Sequence, residues 1–296
     1  MAGTVLCEPT ELYNILNQFS RSPRLAESNY LCLIDTRAER DYNESHVITA
    51  IKAKWDCDGR LVMPPSVEVD SVKYIIVYDG NTSSLLPSGP ARECAERLEK
   101  FSRNPIRILN GGYERFSVFY PFFRTQKIIY TIKELENLRP YPVEILPGQL
   151  YMGDHEQAGN SCIIKDLKLK ALVSVINNFL FLSSEDGNCA VMNICVPDSA
   201  DADLYASFEN LCVFVGSHLS SGSAVLIFSG HGISRCSAAS MAFLVYHLKY
   251  TLKDAWDHVL QCKRNMRPNR GFVQQLSNWE LQTLGRRITD VSEPNF

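Results

Sequence analysis

The run VLIFSGHGISRCSAAS at residues 225–240 constrains the fold of this chain more than any other stretch. Val225 to Phe228 is a short apolar strand, and the chain then breaks into two closely spaced glycines. A small-residue, helix-forming segment from Ser234 to Leu248 follows. A strand, a glycine loop and a helix in that order gather backbone amides at a helix N-terminus, which suits an anion. Gly230 and Gly232 let the backbone curl so that amides point inward. Arg235, at the mouth of the helix, offers a planar fork that matches two phosphate oxygens. Ser229, Gly230, His231, Gly232, Ile233, Ser234 and Arg235 are therefore the candidate phosphate-binding residues. The competing reading is an ordinary strand-to-helix turn, which many α/β proteins contain.

The rest of the chain alternates strands and helices in two blocks. In the first, YLCLID (30–35), YIIVYD (74–79) and IRIL (106–109) are short apolar strands, and ARECAERLEKF (91–101) is a helix with an apolar stripe. Thr10 is the expected N-cap of a helix whose Leu12, Ile15, Leu16 and Phe19 share a face. A boundary is expected just before the proline-rich stretch ENLRPYPVEILPG (136–148). Beyond it, ALVSVI (171–176), VMNICV (191–196) and AVLIF (224–228) are strands, with helices expected at 204–219, 234–248 and in the C-terminal region. Such alternation predicts an α/β protein with mostly parallel sheets. The expected division is a domain over 1–130, a linker over 131–140, a second domain over 141–287 and a tail over 288–296.

Bulk properties narrow the function classes. Thirty basic and 33 acidic residues leave a net charge of −3, which gives no support to nucleic-acid binding. Ten cysteines are scattered without a CxxC pair, a pattern that suits a reducing compartment and predicts neither a zinc site nor a disulfide framework. No cofactor is expected. No apolar run is long enough to span a bilayer, and Glu8 and Glu11 stand where a signal peptide would be apolar. The expectation is a soluble intracellular protein, cytoplasmic, with a mitochondrial destination left open.

The loop at 229–235 resembles the signature of the protein tyrosine phosphatases: His-Cys, five residues, Arg, then Ser or Thr. PVEILPGQLYMGD (142–154), LKLKALVSVI (167–176), ICVPDSADADLYASF (194–208) and the C-terminal helices with their RPNRGF link resemble the dual-specificity phosphatase domain. The resemblance implies that Asp198 occupies the general-acid position and that the nucleophile position is Ser229. Three positions depart from the signature. Phe228 replaces the histidine, Ser229 the cysteine, and Cys236 the Ser or Thr after the arginine. A serine keeps its proton at neutral pH and needs an adjacent base to attack. His231 makes a poor base, because residues at its place in such loops address the phosphate through their backbone. Cys236 reads as buried packing. Turnover is therefore not expected, although the retained arginine and amides can still hold a phosphoryl group. A weak Ser229-dependent phosphatase and a scaffold with a vestigial pocket are the rival readings.

YLCLIDTRAERDYNESHVITAI (30–51) and ILNGGYERF (108–116) resemble the rhodanese-like module. A working sulfurtransferase carries a cysteine on the loop after IIVY; here that loop is DGNTSSLL, beginning at Asp79. Asp35, Arg37 and His46 read as a structural hydrogen-bonded set. A rhodanese-like domain followed by a dual-specificity domain resembles the MAP kinase phosphatases and, with the substituted signature, pseudophosphatases of the serine/threonine/tyrosine-interacting-like kind. The resemblance implies binding to a phosphorylated protein or to an active phosphatase. In the stretch corresponding to a kinase-docking cluster, Lys52, Lys54 and Arg60 are diluted by Asp56 and Asp58, so electrostatic docking to a MAP kinase is not expected.

Overall fold

The structure is a computed structural model and describes residues 3–57, 61–62, 68–86, 88–129, 131–177 and 189–292. The chain divides after Pro140 into two compact units, Met1–Pro140 and Tyr141–Phe296. The main sheet of the first unit contains β1 (Thr4–Cys7), β2 (Leu31–Asp35), β3 (Ile51–Lys52), β4 (Tyr74–Tyr78) and β5 (Ile106–Leu109), in the order β1-β5-β4-β2-β3. All four pairings are parallel. Alternate residues Cys32, Ile34, Ile75, Val77, Ile106 and Ile108 pack against Ala91, Cys94, Ala95 and Leu98 of the helix Pro90–Leu98. Leu33 and Ile76, which point to the opposite face, are buried as well. Strands covered on both faces lose the apolar–polar alternation, which is why they read as continuous apolar runs.

Two details of this unit differ from the sequence-based expectation. The first helix begins at Pro9 and not after Thr10. Its cap position is Glu8, which makes no side-chain cap bond. Proline at the first helical position needs no amide partner there, and the Thr10 hydroxyl instead meets the Tyr120 hydroxyl at 3.2 Å. The helix ends at Leu16, so Phe19 is off its apolar face and 37% exposed. A short helix, Ile132–Glu136, closed by a Thr131/Glu134 capping box, occupies the segment between the two sequence-defined domains.

The second unit is built on β6 (Val143–Leu146), β7 (Leu150–Asp154), β8 (Leu169–Ile176), β9 (Ala190–Cys195) and β10 (Ala224–Ser229), in the order β6-β7-β10-β8-β9. Only β6 with β7 is antiparallel. The last strand in sequence, β10, thus lies in the middle of the sheet. One face of β10, carrying Val225 and Ile227, packs on the helices Phe208–Ser220 and Arg235–Leu248. The second of these is buried from Cys236 through Val245, as a helix with apolar residues all round requires. The helix expected over 204–219 starts at Phe208, after a 3₁₀ turn at Tyr205–Ser207. No helix among the described residues is long and apolar enough to cross a membrane.

The C-terminal helices are tied together by one buried carboxylate. Glu280, fully buried on the helix Arg270–Leu284, accepts hydrogen bonds from the Leu252 amide (2.8 Å), the Ile288 and Thr289 amides (2.9 and 3.0 Å) and the Thr289 hydroxyl (2.8 Å). Burial opposes its ionisation, but the amide and hydroxyl donors outweigh burial and hold the carboxyl below the ordinary glutamate value of 4.5. A depressed folded-state value gives stability that is present above the unfolded value and lost as pH falls through the folded one. Glu280→Gln is expected to cost about 1–3 kcal/mol at pH 7, with the difference from the parent shrinking once the pH drops below 4.5. Urea unfolding at a series of pH values measures this; equal stability at pH 7 would contradict it.

Candidate functional site

The site forms at the carboxyl edge of the second sheet, where parallel α/β sheets leave room for ligands. β8 ends at Ile176 opposite Cys195 of β9, and the Val196 amide donates to the Ile176 carbonyl at 3.1 Å. The next residues, Asn177 and Val196, therefore emerge side by side. β10 runs out at Ser229 next to them, and the loop 229–235 turns into the helix Arg235–Leu248 with Ser234 at its cap position.

Gly232 fixes the turn. It has φ +66°, and a Cβ there would stand 2.9 Å from the carbonyl carbon and oxygen of Gly153. No L side chain fits that approach without strain. The Ser237 hydroxyl (2.6 Å) and the Arg267 amide (3.0 Å) both donate to the Ile233 carbonyl, pinning the loop. His231 is exposed at the tip, whereas Ser229 and Ser234 are buried.

Asp198 meets this loop through a shared node. The Ser234 hydroxyl donates to Asp198 Oδ1 at 2.6 Å, the Asn269 side-chain amide donates to the same oxygen at 2.8 Å, and the Asn269 backbone amide donates to Ser234 Oγ at 3.2 Å. Asn269 also caps the helix Arg270–Leu284 by accepting from the Phe272 amide. Asp198 Oδ2 stands 3.9 Å from Arg235 Nε. The structure thus brings Asp198, Ser234 and Arg235 together, although 36 residues separate Asp198 from Ser234.

At the nucleophile position, Ser229 is 2% exposed, and its side chain is one of the groups that act on the Cys236 thiol. Burial pushes that thiol above its ordinary value; Lys263, Ser229 and Ser237 oppose the shift without reversing it. Cys236 is fully buried, so its sulfur stays protonated and unavailable as a nucleophile. Lys263, the residue that follows the helix Leu252–Cys262, lies within electrostatic range of Cys236 and Asp154. Burial pulls its ammonium below the usual lysine range, against the opposing fields of Cys236 and Asp154.

Phe228 lies on the opposite face of β10 from Ser229 and is fully buried. Its register partner on β8 is Ser174, whose buried hydroxyl has no hydrogen-bond partner among the described residues. In-register residues of parallel strands project to the same face. An orphaned hydroxyl therefore flanks the position where the signature has histidine.

Asn177, Asn269 and Lys263 were not singled out from sequence. Asn269 lies inside the RPNRGF link, and Asn177 is the first residue past an apolar strand at the carboxyl edge. Those positions were the available signals. In the first unit, Asp79 opens the loop after β4 and accepts from the Asn81 amide (3.2 Å), the Thr82 amide (2.9 Å) and the Thr82 hydroxyl (2.6 Å). That loop is closed on its own carboxylate. Arg37 pairs with buried Asp35 at 2.6 Å and donates to the Ser45 carbonyl at 2.7 Å. His46 is bonded elsewhere, to the Tyr42 and Lys127 carbonyls.

Residues 150–282 match the family described as dual specificity phosphatase, catalytic domain, and residues 12–118 match the rhodanese-like domain. The chain therefore carries a rhodanese-like domain followed by a dual-specificity-phosphatase-like domain, and it is homologous to the MAP kinase phosphatases. Among its relatives, dual specificity protein phosphatase 1-B of Xenopus laevis is 27% identical over 293 residues, covering 90% of this chain and 76% of the relative. A probable rhodanese domain-containing dual specificity protein phosphatase of Dictyostelium discoideum is 28% identical over 185 residues. Dual specificity protein phosphatase Mpk3 of Drosophila melanogaster is 30% identical over 146 residues. These matches cover 62% and 49% of this chain, but only 38% and 36% of the two relatives' own length. Among solved structures, human DUSP28 is 26% identical with a TM-score of 0.47, covering 50% of this chain and 98% of that one. The human tyrosine phosphatase-like serine/threonine/tyrosine-interacting protein is 22% identical with a TM-score of 0.43, covering 48% and 96%.

Since Ser174 offers an unused hydroxyl beside residue 228, Phe228→His is expected to fold with the imidazole bonded to Ser174. A double-mutant cycle with Ser174→Ala should give a coupling of about 1 kcal/mol. Additive losses would show that the two side chains do not meet.

Proposed function

We propose that this chain is a pseudophosphatase of the serine/threonine/tyrosine-interacting-like type, which holds a phosphoryl group without hydrolysing it. One observation carries the reading. The side chain at the nucleophile position is a buried serine, and Cys236 is buried too, with its thiol pushed above the ordinary value by that burial. Among the described residues no base is hydrogen-bonded to the Ser229 hydroxyl, and a serine without one stays a poor nucleophile. The phosphate-binding parts, by contrast, are retained: the turn at Gly232, the helix start at Ser234 and the guanidinium of Arg235.

Function then lies in occupancy. The phosphatase-like domain shields a phosphorylated protein, or engages an active phosphatase, in the reducing interior of the cell. The rhodanese-like domain has no persulfide-forming cysteine on the loop at Asp79, so it serves as a binding module. Electrostatic docking of a MAP kinase is not part of this proposal. Lys52 Nζ is drawn back onto the Ala53 carbonyl at 3.1 Å, and Asp56 neighbours Lys54. Arg60 and Asp58 lie outside the described residues.

Calorimetry with a phosphotyrosine peptide tests the pocket. Saturable binding is expected, weakened about tenfold or more by Arg235→Ala, because a charge-assisted hydrogen bond is worth about 1.5–3 kcal/mol. Equal affinity of the variant and the parent would favour a scaffold with a vestigial pocket.

The chemistry is tested by restoring it. Phe228→His combined with Ser229→Cys should give measurable hydrolysis of an aryl phosphate, since the loop amides, helix end and Arg235 depress a thiolate pKa. Cys236 supplies no hydroxyl to assist thiolate departure, so the rate should be modest. Adding Asp198→Asn should lower that rate, a general acid typically contributing about 10²–10⁴-fold. A correctly folded but inert double variant would contradict the claim that the cradle is intact.

A further inference from the structure

The guanidinium of Arg235 is held from behind. Its Nη1 donates to Asn177 Oδ1 at 2.7 Å and to the Val196 carbonyl at 3.0 Å. Its Nε is buried without a hydrogen-bond partner among the described residues. Its Nη2 is on the loop side, 3.5 Å from where a Cβ on Gly230 would stand. In a planar guanidinium the Nε–H and one Nη2–H lie along a single edge, and that edge grips two oxygens of an oxyanion side-on.

We propose that Asn177 is a positioning residue: its side-chain carbonyl locks the Arg235 guanidinium so that the Nε–Nη2 edge faces the loop. This inference rests on reading the loop as a phosphate cradle. Nη1 carries two hydrogens. The Val196 carbonyl engages one of them and leaves the group free to swing about its Cδ–Nε bond. Asn177 engages the second and fixes the plane. Both acceptors sit one step beyond the last paired residues of β8 and β9, so the central sheet sets the direction of the fork. Without Asn177, Arg235 keeps its charge and loses its aim. The nearest competitor for the freed edge is Asp198 Oδ2, already 3.9 Å from Nε.

Two measurements on the full chain separate this inference from the reading beneath it. In ¹⁵N-labelled, ligand-free protein, the Arg235 Nε–H resonance, identified by its loss in Arg235→Ala, should be sharp and protected from exchange. Asn177→Ala should speed its exchange about tenfold or broaden it, while Asn177→Asp, which keeps the acceptor, should preserve it. An unchanged resonance in Asn177→Ala overturns the proposal. Titration with inorganic phosphate forms the second arm. Asn177→Ala should weaken binding about tenfold in the parent, the loss expected for a charged hydrogen-bond network, and have no further effect in the Arg235→Ala background. An equal loss in both backgrounds would mark a merely structural residue and overturn the proposal. If the parent binds no phosphate while the resonance behaves as expected, Asn177 still positions Arg235 and it is the phosphate reading that fails.

Discussion

The phosphatase-like unit depends on one hydrogen-bonded node, the Ser234 hydroxyl between Asp198 and Asn269. Ser234 gives its proton to Asp198 Oδ1 at 2.6 Å and takes one from the Asn269 amide at 3.2 Å. Through it, three distant segments converge: the loop after β9, the turn after β10 and the start of the helix Arg270–Leu284. That buried hydroxyl has its one proton and one of its two lone pairs engaged, and its two partners fix where the helix carrying Arg235 begins. Gly232 completes the constraint from the other side by letting the turn press against the Gly153 backbone. The proposed anion-binding features belong to this scaffold and do not depend on the reacting group.

On the proposed reading, that separation lets chemistry be lost while the fold and the cradle persist. Ser229 and Cys236 are both buried at the ends of the loop. Exchanging sulfur and oxygen between the two positions changes volume little, so packing tolerates it. The reactivity does not tolerate it. A thiolate can be generated by local fields, whereas a serine alkoxide cannot be generated without a base. Phe228 is likewise fully buried on β10, and the Ser174 hydroxyl beside it has no hydrogen-bond partner among the described residues.

Much of this was legible in the sequence, for identifiable reasons. The two α/β units follow from apolar runs punctuated by glycine and proline, and the loop is contiguous, so its glycines and arginine could be read together. Sheet order was not legible: β10 pairs with β7 and β8, both more than 45 residues upstream, and no local pattern encodes that insertion. Separation in sequence likewise hid Asn177, Asn269 and Lys263, which lie 58, 35 and 27 residues from Arg235, Ser234 and Cys236. The misplaced start of the first helix has a local cause, since Pro9 takes the first helical position and Thr10 turns to Tyr120.

The central claim is that the site holds a phosphoryl group and does not turn it over. Phosphorus NMR on the unmodified chain with a phosphotyrosine peptide tests both halves at once. The account predicts a saturable shift or broadening of the phosphotyrosine resonance, with no inorganic phosphate accumulating over many hours. Growth of an inorganic phosphate signal that Ser229→Ala abolishes would contradict it, and so would a phosphotyrosine resonance that the protein leaves unperturbed.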